Sequence, residues 1–368
     1  MKLRIAIAGT RGIPNQYGGY EQAVTYLAEG LVKRGHHVTV YNSANHPYQL
    51  STWQGVDIVH CKDPEHKIGT AGQFIYDLNC IRDCARKEFD ILLLMGYTSS
   101  SAWRRWYPAK PIIISNMDGL EWKRSKYSKP VRYFLRYAEK LAIRFSDYHI
   151  ADSTAIKTYL DEKYNIDSIY IPYGATTTHR PINPSDNDWE KLSNYFLLIA
   201  RIEPENNIEM ILDGFVMSGS DKKFMVIGNT ATRFGKKIRK KFQHCTNIVF
   251  KESIFDQPLL HYIRSKAALY FHGHSVGGTN PSLLEAMAAR TTIVAHNNPF
   301  NQAILGNDSY YFSNAADIKG VIEGLDLTPR NEQMIEQNFQ KIKKLYTWEN
   351  IINQYEACML NCYHKGKK

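Results

Sequence analysis

Three stretches of the sequence combine glycine with a cation or a carboxylate in patterns that suit a phosphate-bearing ligand. The first is Gly9-Thr10-Arg11-Gly12-Ile13-Pro14-Asn15-Gln16-Tyr17-Gly18-Gly19-Tyr20-Glu21. A Gly-rich turn between a strand and a helix lets backbone N–H groups approach a phosphate, and the helix dipole favours the negative charge there. Gly18 and Gly19, just before the helix, are placed for that contact. A dinucleotide reading is disfavoured, because the spacing is not Gly-x-Gly-x-x-Gly and the second strand ends Tyr41-Asn42-Ser43, without an acid. The second stretch, Leu197–Ile208, puts Arg201 directly after an apolar run and before Pro204. A guanidinium at the carboxyl edge of a sheet can pair with a diphosphate. In the third, His272–Ala288, the pair Gly277-Gly278 leads to a helix start with Asn280 as N-cap and Pro281 at the first helical position. Glu285 lies one turn in, where a carboxylate can accept two ribose hydroxyls. The plainer readings of these residues are a tight turn, a rim salt bridge and a helix-surface charge, and residue types alone leave them open. His272 and His274 form a lone His-x-His with no third ligand nearby, so no metal is expected.

These loops need rigid elements behind them, and the apolar pattern supplies them. Short buried runs at Lys2–Ala8, His37–Tyr41, Asp57–His60, Asp90–Met95, Pro111–Asn116 and Tyr148–Ala151 alternate with helical periods at Glu21–Arg34, Gly72–Lys87 and Lys129–Arg144. Runs without polar alternation, separated by helices, predict a parallel sheet covered on both faces. After Ile171-Pro172-Tyr173-Gly174 the composition turns to Pro, Thr, Asn and Asp, as in a linker over 175–190. Alternation restarts at Tyr195–Ala200, Phe224–Ile227, Asn247–Phe250, Leu269–His272 and Thr291–Ala295. Two helical patterns, Asn331–Tyr346 and Trp348–Tyr363, close the chain. The expected architecture is α/β, with Rossmann-like doubly wound domains at 1–174 and 191–347 facing a central cleft. The helix at 348–363 is expected to pack back on the first domain.

At 368 residues the chain is longer than one core ordinarily uses, and 43% hydrophobic with 22% charged residues rules out a disordered or collagen-like chain. Six cysteines, two pairs of them at helical spacing (Cys80/Cys84 and Cys358/Cys362), fit neither a disulfide framework nor a zinc knuckle. No apolar run reaches the roughly 18–20 residues that span a bilayer, so a soluble, cytoplasmic protein is expected. Net charge is +10, and Ser101–Ser146 alone holds eleven Lys/Arg against three Asp/Glu. There Arg104, Arg105, Lys123, Arg124, Lys126, Lys129, Arg132, Arg136, Lys140 and Arg144 interleave with Trp103, Trp106, Tyr107, Trp122, Tyr127, Tyr133 and Tyr137. Cations beside interfacial aromatics suit an anionic membrane face, so a peripheral position on the inner side of the cell membrane is expected. Nucleic acid is the rival partner, disfavoured because no recognised module accompanies the cluster.

Taken together, the loops resemble those of retaining GT-B glycosyltransferases of family 4. Tyr195–Ile208 is similar to that class's Ala-Arg-Leu-x-Pro-Glu-Lys-Asn segment, Ile171–Gly174 to its linker start, and Asn280–Ala288 to its Pro-Leu-Leu-Glu-Ala-Met-Ala helix. Gly9–Glu21, Asp118–Arg124 and Gly277–Glu285 resemble, more narrowly, a bacterial rhamnosyltransferase-like subgroup. The resemblance implies transfer of a sugar, with L-rhamnose from dTDP-L-rhamnose favoured and UDP- or GDP-sugars as alternatives, to a lipid-linked or growing glycan in cell-surface polysaccharide synthesis. No cofactor or metal is implied. Donor-binding residues would be Gly18, Gly19, Arg201, Asn206, Gly228, Lys251, Thr279, Asn280, Ser282 and Glu285. Arg201 and Asp118 would carry catalysis, although Asp118 could also be a turn cap. Arg11, Tyr97, Glu121, Lys123, Arg124, Arg132 and Arg136 would face the acceptor or the membrane. This chain departs from the class at Asn206, where a Lys is usual, making Arg11 the candidate replacement cation. It departs again at Gly277, where the first acid of Glu-x7-Glu is expected near the donor sugar. A nucleotide-sugar 2-epimerase on a similar frame, or a non-catalytic nucleotide-sugar or phospholipid-binding protein, are the alternatives.

Overall fold

A computed structural model describes residues 1–117, 119–124, 127–178, 193–324 and 329–367. The chain divides into two compact units. The first comprises Met1–Lys123, Tyr127–Tyr173 and Trp348–Lys368. The second comprises Arg124–Lys126 and Gly174–Thr347.

In the first unit, strands β1 (Arg4–Ala8), β2 (His37–Ser43), β3 (Thr52–Trp53), β4 (Val56–Cys61), β5 (Ile91–Met95), β6 (Ile112–Asn116), β7 (Tyr148–Ala151) and β8 (Ile169–Tyr170) form one sheet. Its order is β3-β4-β2-β1-β5-β6-β7-β8, parallel throughout except for the antiparallel edge pair β3/β4. Helices α1 (Gly19–Lys33), α2 (Glu65–Ile68), α3 (Ala71–Cys84), α4 (Lys129–Phe145) and α5 (Thr154–Tyr164) connect them. The five residues of β5, Ile-Leu-Leu-Leu-Met, are all buried, as a strand covered on both faces requires. On one face, Val24, Leu27, Ala28 and Leu31 of α1 pack with the sheet. Their i, i+3, i+4, i+7 spacing is the amphipathic period of a helix.

The second unit holds β9 (Tyr195–Ile199), β10 (Phe224–Ile227), β11 (Ile248–Lys251), β12 (Ala267–His272), β13 (Ile293–His296) and β14 (Tyr310–Phe312). Between and after them run α6 (Ile208–Ser218), α7 (Arg233–Lys241), α8 (Gln257–Ser265), α9 (Pro281–Ala288), α10 (Pro299–Leu305), α11 (Ala315–Glu323) and α12 (Pro329–Leu345). The last helix, α13 (Trp348–Lys365), belongs to the first unit, where Ile351, Ile352, Tyr355 and Met359 join the core. The second sheet is all parallel in the order β11-β10-β9-β12-β13-β14. Phe196, Phe215, Phe224 and Phe271 meet edge-on or tilted at its centre, with centroids 5.1–6.2 Å apart.

In both sheets the strand order reverses beside the first strand, between β1 and β5 and between β9 and β12. At such a reversal the loops leaving adjacent strands diverge to opposite faces, and a ligand crevice opens at the strand carboxyl ends. Local apolar runs thus located most strands. The pattern passed over the two-residue strands, the edge strand β14 and the helix α5, whose Ser153 cap accepts from the Ile156 N–H at 3.2 Å.

Candidate functional site

In the second unit, the strand ends are packed backbone to backbone. A Cβ on Gly228 would lie 2.1 Å from the Ala200 carbonyl oxygen, and one on Gly273 would lie 1.9 Å from that of Asn206. Gly228 is therefore explained by close approach of the loops after β9 and β10. The same packing lifts Arg201 to the rim. Its carbonyl accepts from Asn206 Nδ2 at 2.7 Å, while its side chain is exposed and makes no ion pair or hydrogen bond among the described residues. Asn206 itself is buried, and its Oδ1 faces His274 Nδ1 at 3.0 Å. Its amide is thus committed to holding two loops, where the resemblance implied a donor-binding position.

Asn280 is the N-cap of α9, its Oδ1 accepting from the Ser282 N–H at 2.9 Å, with Pro281 at the first helical position. The Ser282 hydroxyl points inward, 2.6 Å from the Tyr270 hydroxyl and 3.2 Å from Arg264. The Ser282 hydroxyl thus ties the start of α9 to β12 and α8. Thr279 is buried just before the cap, and Lys251 is exposed at the end of β11. Glu285 pairs with Arg264 at 2.5 Å, and the guanidinium side chain is only 2% exposed against 14% for the carboxylate. Arg264 therefore sets where Glu285 stands.

In the first unit, glycine is needed at two places in the loop after β1. Gly9 has φ +92°, and a Cβ there would lie 2.7 Å from the Met95 carbonyl oxygen. Gly12, at φ +122°, would drive a Cβ to 2.3 Å from Asn42, whose amide clamps both backbone groups of Ile13. Asn15 Oδ1 accepts from the N–H groups of Tyr17 and Gly18 at 3.0 and 3.2 Å. The Gly18 N–H is therefore occupied, which leaves Gly19, the first residue of α1, to present an N–H at the helix start. Arg11 is bidentate to Glu65, at 3.0 and 2.6 Å, and lies over the Tyr17 ring at 3.9 Å. Its charge is already compensated, which weakens it as the substitute for a Lys at 206.

Asp118 lies outside the described residues. Beyond it, Glu121–Lys123 form a single 3₁₀ turn tied down by Trp122, whose Nε1 donates to Glu139 at 3.1 Å. The buried Glu139 also accepts from Tyr159, Tyr164 and Lys163 at 2.8, 2.5 and 2.9 Å. Tyr97 is buried and donates to the Gly119 carbonyl, so it supports this turn from below and is no surface residue. Arg124 is likewise buried; it belongs to the second unit, where it lies 4.0 Å from Glu205. Arg136 lies 4.2 Å from the Trp122 ring centroid and Lys123 5.5 Å from it. Arg132 is half-buried. The cations of this region thus divide into buried, stacked and solvent-facing groups.

Residues 179–344 match the family described as glycosyl transferases group 1, and residues 2–176 match a domain of unknown function (DUF1972). In fold the chain is similar to sucrose-phosphate synthase from Thermosynechococcus elongatus, at TM-score 0.81 and 15% identity, over 99% of this chain and 100% of that one. The protein is a GT-B glycosyltransferase. HepE from Anabaena, solved in complex with UDP and glucose, resembles the transferase at TM-score 0.76 and 14% identity, over 98% and 100% of the two chains. Trehalose 6-phosphate synthase from Burkholderia multivorans does so at 0.73 and 11%, over 98% and 99%. No curated protein matches by sequence.

Three imidazoles gather at the β12 and β13 ends of the transferase. Burial lowers the pKa of His272 to about 3, and that of His296 falls for the same reason. His274 is pushed well below the usual histidine value by burial first, then by His272, Arg124 and Arg201. A histidine buried neutral takes up its proton on unfolding, so its stabilisation is complete above the unfolded pKa of about 6.5 and is lost as pH falls toward the folded value. Urea midpoints measured from pH 7 to pH 4 should therefore fall, with His272 alone contributing about 1.4 kcal/mol per pH unit. His272→Gln should flatten that slope. Arg264 and the Asn206–His274 link escaped sequence reading because each joins residues on different elements, and no local pattern marks them. Among the described residues no cluster of His, Cys, Asp and Glu could hold a metal.

Proposed function

We propose that the enzyme is a retaining transferase that moves L-rhamnose from dTDP-L-rhamnose to a lipid-linked or growing glycan at the inner membrane face. The observation that carries the donor reading is Arg201, exposed and without a protein partner among the described residues, in the unit whose helix α9 is capped by Asn280 and holds Glu285. Arg201 and the α9 N-terminus neutralise the diphosphate as charge builds on it, and Glu285 accepts the ribose hydroxyls. Gly19 contributes backbone N–H, and Asp118 contacts the acceptor or the transferred sugar. A UDP-sugar is the second donor reading, favoured by the likeness to HepE, whose structures hold UDP and UDP-glucose.

Melting the protein with dTDP, UDP, GDP and NAD at matched concentrations tests the donor. A ligand of the native state raises stability by RT ln(1 + [L]/Kd). Stabilisation by dTDP alone supports rhamnose, a UDP response replaces the sugar, and a response to NAD alone ends the transferase donor reading. Product analysis with the responding sugar nucleotide then separates transfer from epimerisation.

The membrane reading rests on α4. Its inner face is Leu135, Ala138, Leu141 and Ala142, while Tyr133 and Tyr137 are exposed beside Lys140 and Arg144. No helix among the described residues is long and apolar enough to cross a membrane. Each Lys or Arg near an anionic surface adds about 1 kcal/mol, screened by salt. Sedimentation with phosphatidylglycerol vesicles should capture the protein at low salt and release it at high salt. The combined variant Tyr133→Ser, Lys140→Glu, Arg144→Glu should stay in solution; capture undiminished in that variant would remove α4 from the surface.

A further inference from the structure

We propose that His274 determines donor-sugar specificity, its Nε2 accepting a hydrogen bond from a hydroxyl of the transferred sugar. The inference rests on the donor reading above and deepens it. The backbone at His274 is fixed. Its carbonyl oxygen accepts from Asn298 Nδ2 at 3.0 Å and from Asn301 Nδ2 at 3.1 Å, and the next N–H, of Ser275, donates to the Glu205 carbonyl at 3.1 Å. The ring is oriented as well. Asn206 Nδ2 donates to the Arg201 carbonyl, which turns the Asn206 Oδ1 toward His274 Nδ1. An amide oxygen only accepts, so Nδ1 carries the ring proton and Nε2 keeps its lone pair. No group among the described residues donates to that nitrogen.

Space is kept open beside the lone pair. Gly277 has φ +138°, and a Cβ on it would come within 2.7 Å of His274 Nε2. Any side chain at 277 would be strained and would press on the imidazole. Burial and the nearby Arg124 and Arg201 hold the ring neutral, so Nε2 remains an acceptor at neutral pH. A second imidazole adjoins it: His272, whose Nε2 is buried without a partner among the described residues, has its ring 6.0 Å from that of His274. Asn206 thus ties together the cation proposed for the diphosphate and a nitrogen acceptor. A sugar joined to that diphosphate offers only hydroxyl donors to such an acceptor, whereas a bare nucleoside diphosphate has nothing to place there.

The test compares dissociation constants for dTDP and dTDP-L-rhamnose, and for UDP and UDP-glucose, in the wild type and two variants. His274→Asn keeps a donor for Asn206 and removes the acceptor at the Nε2 position. His274→Gln restores an acceptor near that position. For the pair that binds, His274→Asn is expected to lose about tenfold in preference for the sugar nucleotide over the bare nucleotide, with bare-nucleotide affinity unchanged. His274→Gln is expected to recover most of that preference. An unchanged preference in His274→Asn overturns the inference, as does a parallel loss of both ligands in both variants, which would mark a structural role. Absence of nucleotide binding by the wild type overturns the donor reading, and this inference with it.

Discussion

Glu285→Ala is expected to lose about 3–5 kcal/mol of stability along with nucleotide binding. The substitution leaves the Arg264 guanidinium, 2% exposed, without the carboxylate that stands 2.5 Å away. An uncompensated buried cation costs far more than a lost surface pair, because water cannot reach it. Urea midpoints measure the first effect and calorimetry with the nucleotide the second. The two separate in a double variant. Arg264→Met with Glu285→Leu removes both charges at similar volume, so most of the stability should return. Nucleotide binding should stay lost, since no carboxylate remains for the ribose. Recovery of binding in the double variant would reduce Glu285 to a structural ion-pair partner.

Arg201→Ala is expected to show the opposite profile. Arg201 is exposed and makes no ion pair among the described residues, so stability should change by less than about 0.5 kcal/mol. Turnover should fall about 10²–10³-fold, the range for removing one donor that stabilises developing negative charge. Arg201→Lys retains the charge without the planar fork and should fall between. Steady-state kinetics with the donor found by the thermal panel measures this. Turnover within a few-fold of wild type in Arg201→Ala would remove the residue from the diphosphate site.

Taken with Glu285→Ala, this contrast separates an exposed side chain from one held by a buried partner. By residue type and local position Arg201 and Glu285 are alike, a cation and an anion suited to one ligand. Folding gives one of them a buried partner and leaves the other at the rim.

What the sequence determined by itself is local. Apolar runs such as Ile91–Met95 declare strands buried on both faces, because nothing in them tolerates water on either side. Asn280-Pro281 declares a helix start, since a capping oxygen and a fixed φ act within three residues. Arg201 was legible for the same reason, lying immediately after a strand. Partnerships across the chain were decided only by the tertiary structure. Arg11 is bidentate to Glu65, Gly18 gives its N–H to Asn15, Tyr97 and Arg124 are buried, and Ser282 turns inward. Arg264 reaches Glu285, and Asn206 sets the tautomer of an imidazole whose free nitrogen faces Gly277. The energy of a cap or an apolar period is set by neighbours a few residues away. The energy of a charge or a polar atom is set by its burial and by the partner at 3 Å, and the path of the folded chain chooses both.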